Sequence, residues 1–137
     1  MKLERLAEKL GDQRTVWCTL ALYFLSSLLA TAICYESLQP SHAEQAAKLG
    51  AQVYLASAAK SERGIALANE HYPMIAQKHS MAILMANCVG AADDFVAAGC
   101  SAVWNRQGEI VCSADTVQEA LVAYDMQTGE AGMFSLV

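Results

Sequence analysis

The sequence predicts a mixed α/β (α+β) fold, on three observations. A strand, a sharp turn, a capped helix and a second strand follow one another between Leu28 and Ser57. An almost wholly apolar run, Met81 to Asn87, reads as a strand buried on both faces. After it come short strands joined by a turn sequence, as in a hairpin.

The 137 residues fit one domain, 55% hydrophobic and 17% charged, far from a disordered composition. The net charge of −5 and the lack of Lys/Arg clusters argue against a nucleic-acid partner. Five cysteines, Cys18, Cys34, Cys88, Cys100 and Cys112, form no C-x-x-C pair. Neither a disulfide framework nor a zinc knuckle is favoured, so a reducing, cytoplasmic setting is expected, with no metal.

The amino-terminal stretch begins with a short amphipathic helix, Lys2 to Leu10, stopped at Gly11. Val16 to Ile33 is then an uncharged run of eighteen residues, preceded by Lys2, Arg5, Lys9 and Arg14. That length reaches the lower limit for a membrane span. Ala30-Thr31-Ala32 has the look of a signal-peptidase site, but the basic region before the run is long and carries Glu4, Glu8 and Asp12. The alternative is a buried part of an α/β core, with Leu28 to Ile33 as a strand.

Ser41 as N-cap and Glu44 three residues on make a capping box, and Gly50 closes the helix. Gln52 to Ser57 reads as the next strand, parallel to the first across a right-handed crossover. A second helical region covers Ser61 to about Ser80 and is interrupted at Pro73, which either kinks it or starts a new helix. Gly90 to Ala98 reads as a loop carrying Asp93 and Asp94. Cys100 to Trp104 and Glu109 to Ser113 flank Asn105-Arg106-Gln107-Gly108 as a hairpin. Ala120 to Met126 is a last strand, and the tail from Gln127 reads as an extended arm.

Cys34 is the residue with chemistry to offer. It ends a buried strand and leads into a turn, where strand-end loops gather ligands in α/β sheets. Such a turn exposes the sulfur and aims the next backbone N–H groups at one point. The plainer reading is a buried, inert cysteine closing an apolar run. Glu36 reads as a turn carboxylate facing solvent. His42, His71 and His79 lack metal-ligand spacing and are placed on exposed helix faces. Ser101 is expected to bond locally. Asn87 either stabilises the strand-to-loop turn or touches substrate. Trp104, Tyr54 and Tyr124 read as core or interface aromatics.

Ala32-Ile33-Cys34-Tyr35-Glu36, followed by a loop and an alanine-rich helix ending in Gly50-Ala51, resembles the nucleophile motif of the carbon–nitrogen hydrolase (nitrilase and amidase) superfamily. The likeness continues in order through Val53 to Ser57, Ile75-Ala76, Ser80 to Gly90, Ala98 to Trp104 and Gly108. It covers about Ala30 to Met126, so residues 28–137 are taken as the C-terminal half of such a domain and 1–27 as a leader unlike the family.

The resemblance implies half of a four-layer α-β-β-α sandwich, with no metal or organic cofactor. It implies a Glu-Lys-Cys triad in which the thiolate attacks a small amide or nitrile and forms a thioester-type intermediate. Cys34 would be the nucleophile, the Tyr35 backbone N–H an oxyanion donor, and Asn87 a possible substrate contact. The family's glutamate belongs to an amino-terminal half that this sequence does not carry. Lys2 has a lysine-like offset, but its neighbours do not match and the role is not carried over. Such folds dimerise through their site-bearing layers, so a homo-oligomer is expected. Two other functions stay open: a non-catalytic fragment or interaction subunit, and a small membrane-anchored protein.

Overall fold

The computed structural model describes residues 29–135. The helix expected at Lys2 to Leu10, Cys18 and the part of the apolar run before Leu29 lie outside the described residues.

The parallel half of the sheet is built as the sequence predicts. Strands β1 (Leu29–Ile33), β2 (Val53–Ala58) and β3 (Ala82–Asn87) run parallel. Helices α1 (Pro40–Lys48) and α2 (Glu62–His79) make the crossovers between them. Strands β6 (Ala102–Trp104) and β7 (Ile110–Ser113) add antiparallel, completing the order β1-β2-β3-β6-β7. Because Leu29 to Ile33 pairs residue for residue with Val53 to Ser57, the backbone there is satisfied by a neighbouring strand and not within a helix. Among the described residues, no helix is long and apolar enough to cross a membrane.

Period-two alternation divides the sheet into two faces. One face carries the cross-strand rows Ala30–Tyr54–Ile83–Trp104 and Ala32–Ala56–Met85–Ala102. All eight belong to, or pack against, the core beneath the helices. Alanines there let Ala43 and Ala46 of α1, and Ile65, Ala68, Tyr72 and Ile75 of α2, approach closely. Tyr72 packs on Trp104 with ring centroids 5.1 Å apart. The opposite face carries Thr31, Leu55, Leu84 and Val103 in one row.

Three elements differ from expectation, and at Pro73 the structure decides between the two alternatives the sequence left open. The α1 N-cap is Gln39 and not Ser41, because Pro40 takes the first helical position, where its missing N–H costs nothing. The far end is as expected: Gly50 donates to Ala47 O and Ala51 to Ala46 O, a Schellman pattern around a positive φ of 90° at Gly50. Helix α2 runs as one element through Pro73. Only one helical bond is lost there, to the carbonyl of exposed Asn69, while buried Tyr72, Ile75 and Ala76 hold the helix on the sheet.

The segment read as a loop is a hairpin, β4 (Val89–Ala92) with β5 (Phe95–Ala98), turning at Asp93 with φ 53°. Aspartate tolerates that left-handed conformation better than most residues. The tail is also no arm. Strand β8 (Ala120–Tyr124) pairs with β9 (Ala131–Ser135) because Asp125 Oδ1 accepts the N–H groups of Gln127 and Thr128, and Gly129 supplies φ 77°.

Candidate active site

Three parallel strands end at one edge, and their next residues meet there. Register pairs Ile33 with Ser57 and Ala58 with Asn87. Cys34 therefore leaves β1, Lys60 follows β2 and Asn87 closes β3 along the same C-terminal edge, where α/β sheets place ligands.

Cys34 opens a 3-10 helix, Cys34–Leu38, with φ 48°. A positive φ is uncommon outside glycine. It turns the chain sharply out of the sheet and leaves Cys34 exposed, with Tyr35 beside it 75% exposed. Glu36 Oε1 accepts the Ile33 N–H, so this exposed carboxylate braces the turn. Ser37 faces inward and is fully buried. Its hydroxyl donates to the Cys34 carbonyl at 2.5 Å and shares a 2.8 Å hydrogen bond with the Tyr72 hydroxyl.

Lys60 is 6% exposed. Burial pushes its pKa down, while Cys34, near enough to act on it electrostatically, opposes that shift. His71 is lowered mainly by burial and further by the Lys60 charge, against the backbone of Ser37. Its Nε2 is buried with no hydrogen-bond partner, so His71 is not the exposed helix-face residue expected. Burial also raises the Tyr72 pKa, with the Ser37 hydrogen bond working the other way.

Asn87 has most of its polar capacity engaged. Oδ1 accepts the Lys60 N–H at 2.7 Å, and Nδ2 donates to Lys60 O at 3.1 Å and Gly99 O at 2.8 Å. One lone pair of Oδ1 remains for any other contact. Ser101 bonds locally, accepting from Asn87 N and donating to Asn87 O. Asp93 and Asp94 stand exposed at the β4–β5 tip. His42 Nδ1 and the Tyr54 hydroxyl lie 2.7 Å apart, partly buried. Among the described residues no group of His, Cys, Asp or Glu converges as a metal site would require.

Sequence reasoning singled out Cys34, Tyr35 and Asn87, and the structure brings all three to one sheet edge. It did not single out Lys60, Ser37 or Tyr72. Lys60 had a faint signal, a lone charge after the small-residue strand end Ala56-Ser57-Ala58-Ala59. The Ser37–Tyr72 pair had none, being 35 residues apart.

On the sheet face away from the helices lies an apolar trough of about 420 Å³, lined by Thr31, Ile33, Leu55, Leu84, Val103 and Leu121 among others. It adjoins the Cys34 turn through Ile33.

Residues 3–134 match the family described as carbon-nitrogen hydrolase. No curated protein matches the chain. Saccharomyces cerevisiae Nit3, a member of branch 10 of the nitrilase superfamily, is similar in structure with TM-score 0.62 and 22% identity, over 66% of this chain and 34% of that one. An amidase from Nesterenkonia sp. is similar with TM-score 0.61 and 22% identity, over 77% of this chain and 35% of its own. The chain thus spans about a third of the length of the solved structures it matches, and the likeness is one of fold.

Proposed function

Because the chain belongs to the carbon–nitrogen hydrolase family, we propose that Cys34 is its nucleophile, acting on the carbonyl or nitrile carbon of a small amide or nitrile. The observation that carries the reading is the exposed Cys34 thiol, lifted out of the sheet edge at φ 48°. Thiolate attack forms a C–S bond while the carbonyl π pair moves onto oxygen, where the Tyr35 N–H is the donor of the reading. Collapse of an amide adduct expels the amine, which needs a proton, and leaves a thioester for water to hydrolyse. Among the described residues the turn's own carboxylate, Glu36, is held by the Ile33 N–H. The chain by itself is therefore proposed to bond covalently far better than it turns over. Asn87 enters as the residue that ties the Lys60 and Gly99 backbones together at the sheet edge, with one lone pair proposed to meet substrate.

The reading includes a cytoplasmic setting, which suits four free described thiols. It includes a homo-oligomer as well, since Ile33 at 71% and Tyr35 at 75% exposure leave apolar surface beside the thiol. A second reading, a non-catalytic interaction subunit, is favoured by the apolar trough of about 420 Å³.

The test is incubation with a panel of small amides and nitriles, reading both ammonia release and intact mass. The expected result is a nitrile adduct mapped to Cys34, a thioimidate formed by adding S–H across the C≡N bond with nothing expelled. Ammonia release from amides and nitriles alike is expected to be no faster than in Cys34→Ala, since loss of a general base costs on the order of 10²–10⁴-fold. Adducts mapped only to other cysteines would favour the interaction subunit. Rapid turnover abolished by Cys34→Ala would show that another residue serves as base.

A further inference from the structure

The hydroxyl chain behind Cys34 has a fixed direction. The Cys34 carbonyl can only accept, so the single proton of Ser37 Oγ is committed to it. Tyr72 must then be the donor in its 2.8 Å hydrogen bond with Ser37. The order is Tyr72 O–H to Ser37 Oγ–H to Cys34 C=O. Both side chains are 0% exposed, and the Ser37–Tyr72 bond is buried, while the bond to the Cys34 carbonyl is partly buried.

The far end of the chain is one face of a peptide unit. The Cys34 carbonyl and the Tyr35 N–H share a planar trans peptide group, and in such a group they point in opposite directions. Anchoring the carbonyl inward, toward α2, therefore turns the Tyr35 N–H outward, on the side where Tyr35 is exposed. Accepting a hydrogen bond at the carbonyl also polarises the same amide and strengthens its N–H as a donor. Tyr72 is itself fixed by its contact with Trp104, 5.1 Å between ring centroids in the core. The orientation of the turn is thus coupled to the centre of the fold.

We propose that Ser37 and Tyr72 are positioning residues that aim and polarise the Tyr35 N–H as an oxyanion donor, by holding the opposite end of its peptide. This rests on the reading of Cys34 as nucleophile. It adds to that reading two buried hydroxyls, neither of which touches substrate.

The experiment compares two reactions of Cys34 in the full chain. Iodoacetamide alkylates the thiolate by displacement at a saturated carbon and develops no oxyanion. Acetylation by p-nitrophenyl acetate forms the C–S bond, pushes the carbonyl pair onto oxygen, then expels p-nitrophenolate and leaves a thioester. Only the second reaction uses the aimed N–H. Site-resolved mass spectrometry follows both at Cys34, with Cys88 as the internal reference. Ser37→Ala is expected to slow acetylation on the order of tenfold or more while iodoacetamide labelling stays within about twofold. Tyr72→Phe keeps the ring on Trp104 and is expected to slow acetylation roughly two- to fivefold, again selectively. It carries the test if Ser37→Ala does not fold.

Equal slowing of both reactions would reduce the pair to a structural role and overturn the proposal. So would preferential acetylation of Cys34 that neither variant changes, which leaves the nucleophile reading standing. If Cys34 in the native chain is acetylated no faster than Cys88, the nucleophile reading fails and takes this inference with it.

Discussion

The carboxamide of Asn87 grips the backbone of Lys60 from both sides. It accepts the Lys60 N–H at 2.7 Å and donates to the Lys60 carbonyl at 3.1 Å. This ties the end of β3 to the chain leaving β2, and a third bond to Gly99 O reaches the end of the β4–β5 hairpin. Asn87→Ala takes the side-chain partner from the Lys60 N–H and the Gly99 carbonyl, while the Lys60 carbonyl keeps the Ala98 N–H, and is expected to destabilise the fold by about 2–4 kcal/mol. Urea unfolding measures the loss, and hydrogen exchange at the Lys60 amide is expected to speed up with it. An unchanged midpoint would mean that water or another side chain replaces the amide.

Of the four described thiols, Cys34 and Cys88 are exposed while Cys100 and Cys112 are partly buried. Cys88 and Cys100 also follow strand ends, but of the four only Cys34 opens a helix, the 3-10 turn Cys34–Leu38, whose first backbone N–H groups lie next to it. Limiting iodoacetamide at neutral pH, followed by peptide mapping, is expected to label Cys34 first. Faster labelling of Cys88 or Cys100 would remove the case for a specially presented thiol.

His71 connects stability to pH. Burial holds its folded pKa below the ordinary value of 6.5, so the unfolded chain binds more protons between the two values. Stability from this residue is therefore full above about pH 6.5 and declines as the pH falls toward the folded pKa. His71→Gln is expected to flatten the difference in urea midpoint between pH 7.5 and pH 5. A variant with the same difference as the native chain would assign the acid sensitivity to other groups.

Gly108 closes the β6–β7 hairpin with φ 79°, and a Cβ there would lie 2.8 Å from the Pro73 carbonyl oxygen and 2.9 Å from Gln77 Nε2. Neither the conformation nor the space admits a side chain, so Gly108→Ala is expected to cost about 1–3 kcal/mol. Thermal unfolding reads this directly. The hydrogen bond from Gln77 Nε2 to Gln107 O, 2.8 Å long, should be lost in the same variant.

Local chemistry made much of this molecule legible in one dimension. The short apolar runs at Leu29–Ile33, Val53–Ala58 and Ala82–Asn87 read as buried strands, and Gly50 and Gly108 mark turns through φ values that other residues resist. Cys34 was visible because strand-end position and neighbouring residues are sequence properties. Pro40 displacing Ser41 from the cap was also written locally, but two valid signals competed one residue apart. Pro73 inside α2 and the β4–β5 hairpin were settled by packing, since Tyr72 and Ile75 hold the helix down while Asn87 ties Gly99 to Lys60. The parts that surround the thiol belong to the tertiary structure alone. Ser37 meets Tyr72 across 35 residues, and Lys60 comes to the Cys34 edge because β1 and β2 run parallel in one register. A hydrogen bond or a desolvated charge depends on distance in space, and distance in space between remote residues exists only once the strands have paired.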